Sequence, residues 1–299
     1  HVRSRRQRQM CIRDRYYNLC YNLSRGLKLM KKNIILTLLS LLLLQGAVYA
    51  EVIKFAQIAD AHFIAGDKYR EQVLQEAVNS INNQKDIAFT VFTGDNINSP
   101  KPYYLPDFTN IINKLNVPYY IVIGNHDVYK NNGLSKTKYL EIIRENNFLY
   151  RYKKPNYVFK KDGFVFIVVD GAKEVIPGSG GYYREDTLNW LDKQLTKYKN
   201  EPVIIFQHFP VVEPKESKTH EVYQKENYFN IIDKYDNIIS VISGHYHING
   251  EQMRNGVYHI SSPTLLSTPP VYKIITVTTT KGFSPMVYTE LKEIELPKE

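Results

Sequence analysis

Runs of Val, Ile and Phe alternate with amphipathic stretches along most of this chain. Val52–Ala59, Ile87–Thr93, Tyr119–Ile123, Phe164–Val169, Val203–Phe206 and Ile238–Ile242 are short and largely apolar, the pattern of strands buried on both faces. Between them, Tyr69–Asn83, Tyr104–Leu115, Lys136–Asn146, Arg184–Lys199 and Asn227–Lys234 are predicted helices. In the fourth of these, Leu188, Leu191 and Leu195 recur at helical spacing and form one apolar stripe. After residue 250 the helical pattern stops, and Gly256–Ser261, Val271–Thr279 and Pro285–Leu291 read as a closing antiparallel set of strands. Alternating strands and helices predict sheets covered by helices, an α/β architecture in one domain over 51–299.

The start of the chain is different. Met30-Lys31-Lys32, the apolar run Asn33 to Leu44 and the segment Gln45 to Ala50 match the basic, hydrophobic and small-residue parts of a secretory signal peptide over residues 30–50. The run is short of the roughly 20 residues that a membrane span needs, so export without a stable membrane anchor is the expectation; an uncleaved N-terminal anchor is the alternative. Residues 1–29 are Arg-rich, lack apolar periodicity and are expected to be a non-native leader; a basic arm that binds nucleic acid is the alternative. Both cysteines, Cys11 and Cys20, lie in that leader.

Charge changes meaning with this division. The formal net charge is +9, but residues 1–50 hold ten Lys or Arg and one acid, and the remaining 249 residues hold 29 of each sign. The expected working domain is therefore neutral and lacks the surplus of cations that binding to a nucleic-acid backbone requires. Hydrophobic residues at 43% and charged residues at 23% exclude a disordered chain.

Candidate chemistry sits immediately after the strands. Five apolar runs end in short loops: Asp60-Ala61-His62, Gly94-Asp95-Asn96, Gly124-Asn125-His126-Asp127, Gln207-His208-Phe209-Pro210 and Gly244-His245-Tyr246-His247. Ligands in open α/β sheets bind at the carboxyl ends of strands, so five such ends predict one converging site. Asp-x-His and His-x-His would project alternate residues of an extended segment to one side. His, Asp and Asn form a donor set suited to zinc, manganese or iron rather than calcium. Their number exceeds one tetrahedral zinc and fits two metals. His220, in the polar loop after His208, borders the predicted site, and His259 in a C-terminal strand is read as structural. Gly178-Ser179-Gly180-Gly181 is a mobile-loop candidate without the features of a phosphate loop.

In this order the five blocks resemble the calcineurin-like metallophosphoesterase superfamily, and in spacing and size its bacterial cyclic-nucleotide-type phosphodiesterases. The resemblance runs from Asp60 to His247. It implies a four-layer sandwich of two mixed β-sheets flanked by helices (α/β, or α+β), with a dinuclear metal site at the strand ends. It also implies that Asp60, His62 and His247 hold one divalent ion, that Asn125, His208 and His245 hold the second, and that Asp95 bridges both; manganese, iron and zinc are the candidates. A metal-bridging hydroxide is the implied nucleophile, set in line with the leaving oxygen. His126 is the implied proton donor to that oxygen, with Asp127 as a second catalytic candidate that orients backbone or substrate loops. Asn96, Asn98 and His220 are supporting or substrate-facing candidates. Many relatives carry Asp where Asn98 stands, so His126 is expected to lack that carboxylate.

The functional expectation is an exported metallophosphoesterase acting on a small phosphodiester or phosphomonoester, without a nucleic-acid partner. A nuclease of the same superfamily and a non-catalytic secreted metal-binding domain are the alternatives.

Overall fold

The computed structural model describes residues 22–34 and 50–297. The chain divides into two units, His1–Tyr49 and Ala50–Glu299. In the first, residues 22–34 are helical (α1). Most of the expected signal segment and most of the Arg-rich leader lie outside the described residues. Among the described residues, no helix is long and apolar enough to cross a membrane.

In the second unit, β1 (Ala50–Ile58), α2 (Lys68–Asn82), β2 (Thr90–Thr93), α3 (Tyr104–Ile112), β3 (Tyr119–Val122) and α4 (Lys136–Asn146) are followed by β4 (Tyr157–Lys161), β5 (Phe164–Val168), α5 (Glu185–Lys197), β6 (Val203–Phe206), α6 (Lys225–Ile232), β7 (Ile238–Ser243), β8 (Gly250–Arg254), β9 (Val257–Ser261), β10 (Val271–Thr280) and β11 (Met286–Glu293). A five-stranded sheet runs β11-β10-β1-β2-β3, and a six-stranded sheet runs β4-β5-β6-β7-β9-β8. Each is mixed. β1, β2 and β3 are parallel, as are β5, β6, β7 and β9, while β10–β11 and β8 are antiparallel additions.

The apolar runs are strands covered on both faces. Along β5, Phe164, Phe166 and Val168 enter a cluster shared with Phe55, Phe89 and Phe206, whereas Val165 and Ile167 join the cluster formed with the helices. This period of two is what a pleated strand imposes. Aromatic rings fill the space between the sheets, with Phe55 stacked on Phe89 at 4.8 Å and Phe166 parallel to Phe206 at 5.6 Å. In α5 the stripe of Leu188, Leu191 and Leu195 is buried.

Two expectations need correction. The C-terminal strands do not form one set: β9 lies parallel to β7 in the six-stranded sheet, and β10–β11 complete the other. β4 and β8 were not anticipated, and they are the two edges of the six-stranded sheet. An edge strand such as β8, Gly-Glu-Gln-Met-Arg with an exposed centre, has only one neighbour and need not carry an apolar run.

One buried polar residue interrupts the inner part of β1. Gln57 is fully buried. Its amide donates to the Thr93 hydroxyl (3.0 Å) and the Ser243 carbonyl (2.9 Å) and accepts from the Ser262 hydroxyl (2.7 Å). It thus ties the ends of β1, β2 and β7 together beneath the loops described below. Gln57→Leu would leave these partners buried without it. We expect a loss of about 3 kcal/mol of stability, read as a lower urea midpoint at unchanged slope; a shift below about 0.5 kcal/mol, typical of an inert surface site, would sink this role.

Candidate metal centre

The five polar loops follow β1, β2, β3, β6 and β7, and both sheets present their carboxyl ends to the same place. Asp60, Asp95, His208 and His245 are buried, Asn125 is half-buried, and His247 and His126 are exposed at the rim. The extended geometry expected for Asp-x-His and His-x-His is absent. Asp60, His62, Asp95, His245 and His247 have φ of 51°, 42°, 50°, 74° and 57°, so each turns through the left-handed region. That conformation is uncommon for residues with a Cβ and clusters at functional sites. The ligand-type side chains therefore converge through consecutive tight turns, not through strand alternation.

Glycine permits this crowding, most tightly at two points. A Cβ on Gly124 would lie 2.2 Å from Asp95 Oδ1. A Cβ on Gly94, itself at φ +94°, would lie 2.4 Å from His208 Nδ1. Backbone amides then fix the carboxylates. The His126 amide donates to Asp95 Oδ1 (2.8 Å), and the His245 amide donates to both Asp60 oxygens (3.1 and 2.9 Å).

Hydrogen bonds to carbonyls decide which ring nitrogens carry protons, because a carbonyl can only accept. His208 Nδ1 donates to the Thr93 carbonyl (2.8 Å), which leaves Nε2 facing Asp95 Oδ2 (3.4 Å) and Asn125 Oδ1 (3.2 Å). His126 Nδ1 donates to the Asn98 carbonyl (2.8 Å), which leaves its Nε2 on the Asp95 side, 4.0 Å from Oδ2. His245 Nε2 donates to the His220 carbonyl (3.2 Å), and its Nδ1 is buried without a partner. His62 Nε2 lies 3.1 Å from His247 Nε2, and His62 Nδ1 is likewise unpartnered.

Ligand-type atoms in three groups lie within 4.8 Å of one another: Asp60, His62 and His247; Asp95, His208 and His245; and His62, Asp95 and His126. Asp95 belongs to two of them. Burial lowers the His62 pKa to about 4 and the His245 pKa to about 2, which keeps both imidazoles in the neutral form that metals bind. His208 is different. Burial pulls its pKa down, but the Asp95 carboxylate outweighs this and raises it to about 9. Asp95 in turn is held well below the carboxylate range by His208, although burial opposes this. In the metal-free chain a proton on His208 thus balances Asp95. The neutral imidazoles of His62 and His245, the latter with an orphaned Nδ1, together with two carboxylates fit divalent cations of the borderline class.

Asp127, expected to orient backbone or substrate loops, lies beneath the cavity. It is fully buried, and its oxygens accept from Asn96 Nδ2 (3.0 Å) and from the amides of Gly124 (2.8 Å) and Ile97 (3.0 Å). It braces the β2 and β3 loops against each other and does not reach the cavity. Burial, reinforced by the Asp95 charge, raises its pKa to about 7. Asn96 is buried in the same brace and also donates to the Val122 carbonyl (2.9 Å). Asn98 serves His126 through its carbonyl, while its side chain accepts from Arg70 (3.2 Å). His220 does border the cavity, and its ring packs 5.2 Å from that of His245. His259 is buried in β9 away from this cluster, in line with a structural reading.

The open face is a cavity of about 420 Å³ lined by His62, Asp95, Asn125, His126 and Tyr246 from the strand-end loops and, as a second wall, by Ser179, Lys215, Ser217 and His220. Ser179, from the expected mobile loop, donates to the Thr219 carbonyl (2.6 Å), joining the two loops that form this second wall. Sequence reasoning missed Arg70, Lys215 and Tyr246. The only available signal for Arg70 was Asp67, three residues earlier, as a helix cap.

A model of the calcineurin-like phosphoesterase family matches residues 53–249. A 3',5'-cyclic-nucleotide phosphodiesterase of Nostoc sp. is 24% identical over 71% of this chain and 78% of its own length. A manganese-dependent ADP-ribose/CDP-alcohol diphosphatase of Arabidopsis thaliana is 27% identical over 73% of this chain and 85% of its own. Among solved structures, a dimetal phosphatase from Danio rerio superposes with a TM-score of 0.59 at 18% identity, covering 79% of this chain and 98% of that one. The match spans every loop of the candidate centre, and the chain belongs to the calcineurin-like phosphoesterase family.

Proposed function

We propose that this protein is an exported hydrolase of small phosphodiesters that works with two divalent cations. The carrying observation is that one buried carboxylate, Asp95, belongs to two groups of ligand-type side chains, one with His62 and one with His208 and His245, with His126 Nε2 4.0 Å from its Oδ2 at the cavity rim. In this reading Asp60, His62 and His247 would hold one cation, Asn125, His208 and His245 would hold the other, and the Asp95 carboxylate would serve both. Bound there, the cations supply positive charge against the phosphoryl oxygens and acidify the attacking water. The protein's own groups do the rest. Asp60 and Asp95 balance the added charge, and their backbone hydrogen bonds fix where it lies. His126, with Nδ1–H committed to the Asn98 carbonyl, presents Nε2 for proton delivery to the leaving oxygen. The products are an alcohol and a phosphomonoester.

Diesters are favoured because the relatives include proteins named for cyclic-nucleotide phosphodiester and diphosphate hydrolysis. A nuclease activity is disfavoured by the neutral charge of residues 51–299. Export rests on the sequence of residues 30–50 alone. The decisive experiment compares bis(p-nitrophenyl) phosphate, p-nitrophenyl phosphate and cyclic nucleotides with the chain loaded with Mn, Zn, Fe or Co. We expect diester turnover to exceed monoester turnover by about tenfold or more, a barrier difference of about 1.4 kcal/mol. No turnover with any of these metals would refute the hydrolase reading, and a monoester preference would refute the diester assignment.

A further inference from the structure

We infer that Arg70, outside the ligand set, is a positioning residue that sets both the His62 turn and the orientation of His126. Arg70 lies in the first turn of α2, where its amide donates to Asp67 Oδ1 (3.2 Å) and its Nε pairs with Asp67 Oδ2 (3.2 Å). The helix cap thereby aims the guanidinium. Its Nη1 donates to two acceptors, the His62 carbonyl and Asn98 Oδ1, the latter at 3.2 Å.

These acceptors belong to different parts of the centre. His62 is one of the residues in the left-handed region, at φ 42°, and a charge-assisted hydrogen bond to its carbonyl stabilises a turn that is otherwise disfavoured. That turn directs the His62 ring toward His247. Asn98 reaches the site by its main chain. Its amide donates to the Phe63 carbonyl (3.0 Å), and its own carbonyl takes the His126 Nδ1 proton (2.8 Å). With the Asn98 side chain held by Arg70, the carbonyl is fixed in place, the proton stays on Nδ1, and Nε2 is the nitrogen presented to the cavity. One planar group with donors in a fixed fork thus sets a ligand and a proton carrier together. Lysine, a single point donor on a flexible stem, is a poor substitute.

This inference rests on the proposed role of His126, so the test includes a readout independent of turnover. In the metal-free full chain labelled with 15N, long-range proton–nitrogen correlation should show His126 with its proton on Nδ1. In Arg70→Met the Nε2–H form should become populated. In the metal-loaded enzyme, kcat should fall about 10- to 100-fold, the usual effect of losing a group behind a ligand, with KM nearly unchanged. The fall should be larger for alkyl than for nitrophenyl leaving groups, because only poor leaving groups need the proton. Chelator competition should show weaker binding of one of two metals. Arg70→Lys should recover part of each effect; it also serves as the folding-competent variant if Arg70→Met fails to fold. An unchanged His126 tautomer in either folded variant, or an equal loss for all leaving groups, overturns the inference. Absence of turnover in the unaltered chain would instead count against the hydrolase reading and would leave the tautomer result to decide the role of Arg70.

Discussion

Asp95→Asn is expected to remove metal and activity together, with kcat/KM falling about 1,000-fold or more, equivalent to about 4 kcal/mol of transition-state stabilisation. Asp95 is buried, its Oδ1 is occupied by the His126 amide, and its Oδ2 faces His208 at 3.4 Å and His62 at 4.0 Å. Asparagine retains the acceptor for the His126 amide, so the loop survives. It removes the charge shared by two ligand groups and aims an NH2 at nitrogens that should face cations. The variant should therefore fold, contain less than half of the wild-type metal by elemental analysis, and hydrolyse no phosphoester measurably. The metal-free chain adds a check. His208 is raised from 6.5 to about 9, mainly by Asp95 working against burial. A raised histidine pKa contributes stability below its unfolded value and loses it as pH rises through the folded one. The melting temperature of the metal-free wild type should accordingly decline between about pH 6.5 and pH 9, and Asp95→Asn should lack that decline. Full metal content in the variant would remove Asp95 from the centre.

The candidate site was legible in the sequence because each ligand-type residue falls within a few positions of a strand end, where the apolar run stops abruptly. Val52–Ala59 followed by Asp60, and Tyr119–Ile123 followed by Asn125, mark the edge of a sheet without reference to any structure. Direction of side chains was not legible. His126 and Asp127 are adjacent in one turn, yet His126 is exposed at the cavity and Asp127 is sealed beneath it, and pattern cannot separate neighbours in a non-repeating backbone. The left-handed turns at Asp60 and His62 were hidden for the same reason: a residue with a Cβ carries no mark of positive φ. Arg70 occupies an ordinary polar position of an amphipathic helix, and only the fold brings it to Asn98. Gln57 stands inside an apolar run, and the pattern carries no mark that it joins three strands from within. The edge strands β4 and β8 escaped because half or more of their positions are not buried, and a strand with one partner needs no apolar alternation.

His126→Ala should separate catalysis from metal binding. Three facts set the expectation. The His126 side chain is 44% exposed, so its removal changes stability little. Its main-chain amide, which alanine keeps, is the group that holds Asp95 Oδ1. Its ring is tied to the Asn98 carbonyl through Nδ1 and presents Nε2 to the cavity. Metal content should therefore match the wild type, while kcat for a diester with an alkyl leaving group falls about 100- to 10,000-fold, the range for loss of a positioned proton donor. Nitrophenolate departs without a proton, so bis(p-nitrophenyl) phosphate should lose much less, and the dependence of kcat on leaving-group pKa should steepen. The competing possibility is physical and specific, because His126 Nε2 also lies within a ligand-type group with His62 and Asp95. If His126 binds a cation, the alanine variant loses metal and all substrates slow by one common factor. Elemental analysis and a leaving-group series on the same preparation distinguish the two, since a proton donor changes the slope and a ligand changes the occupancy.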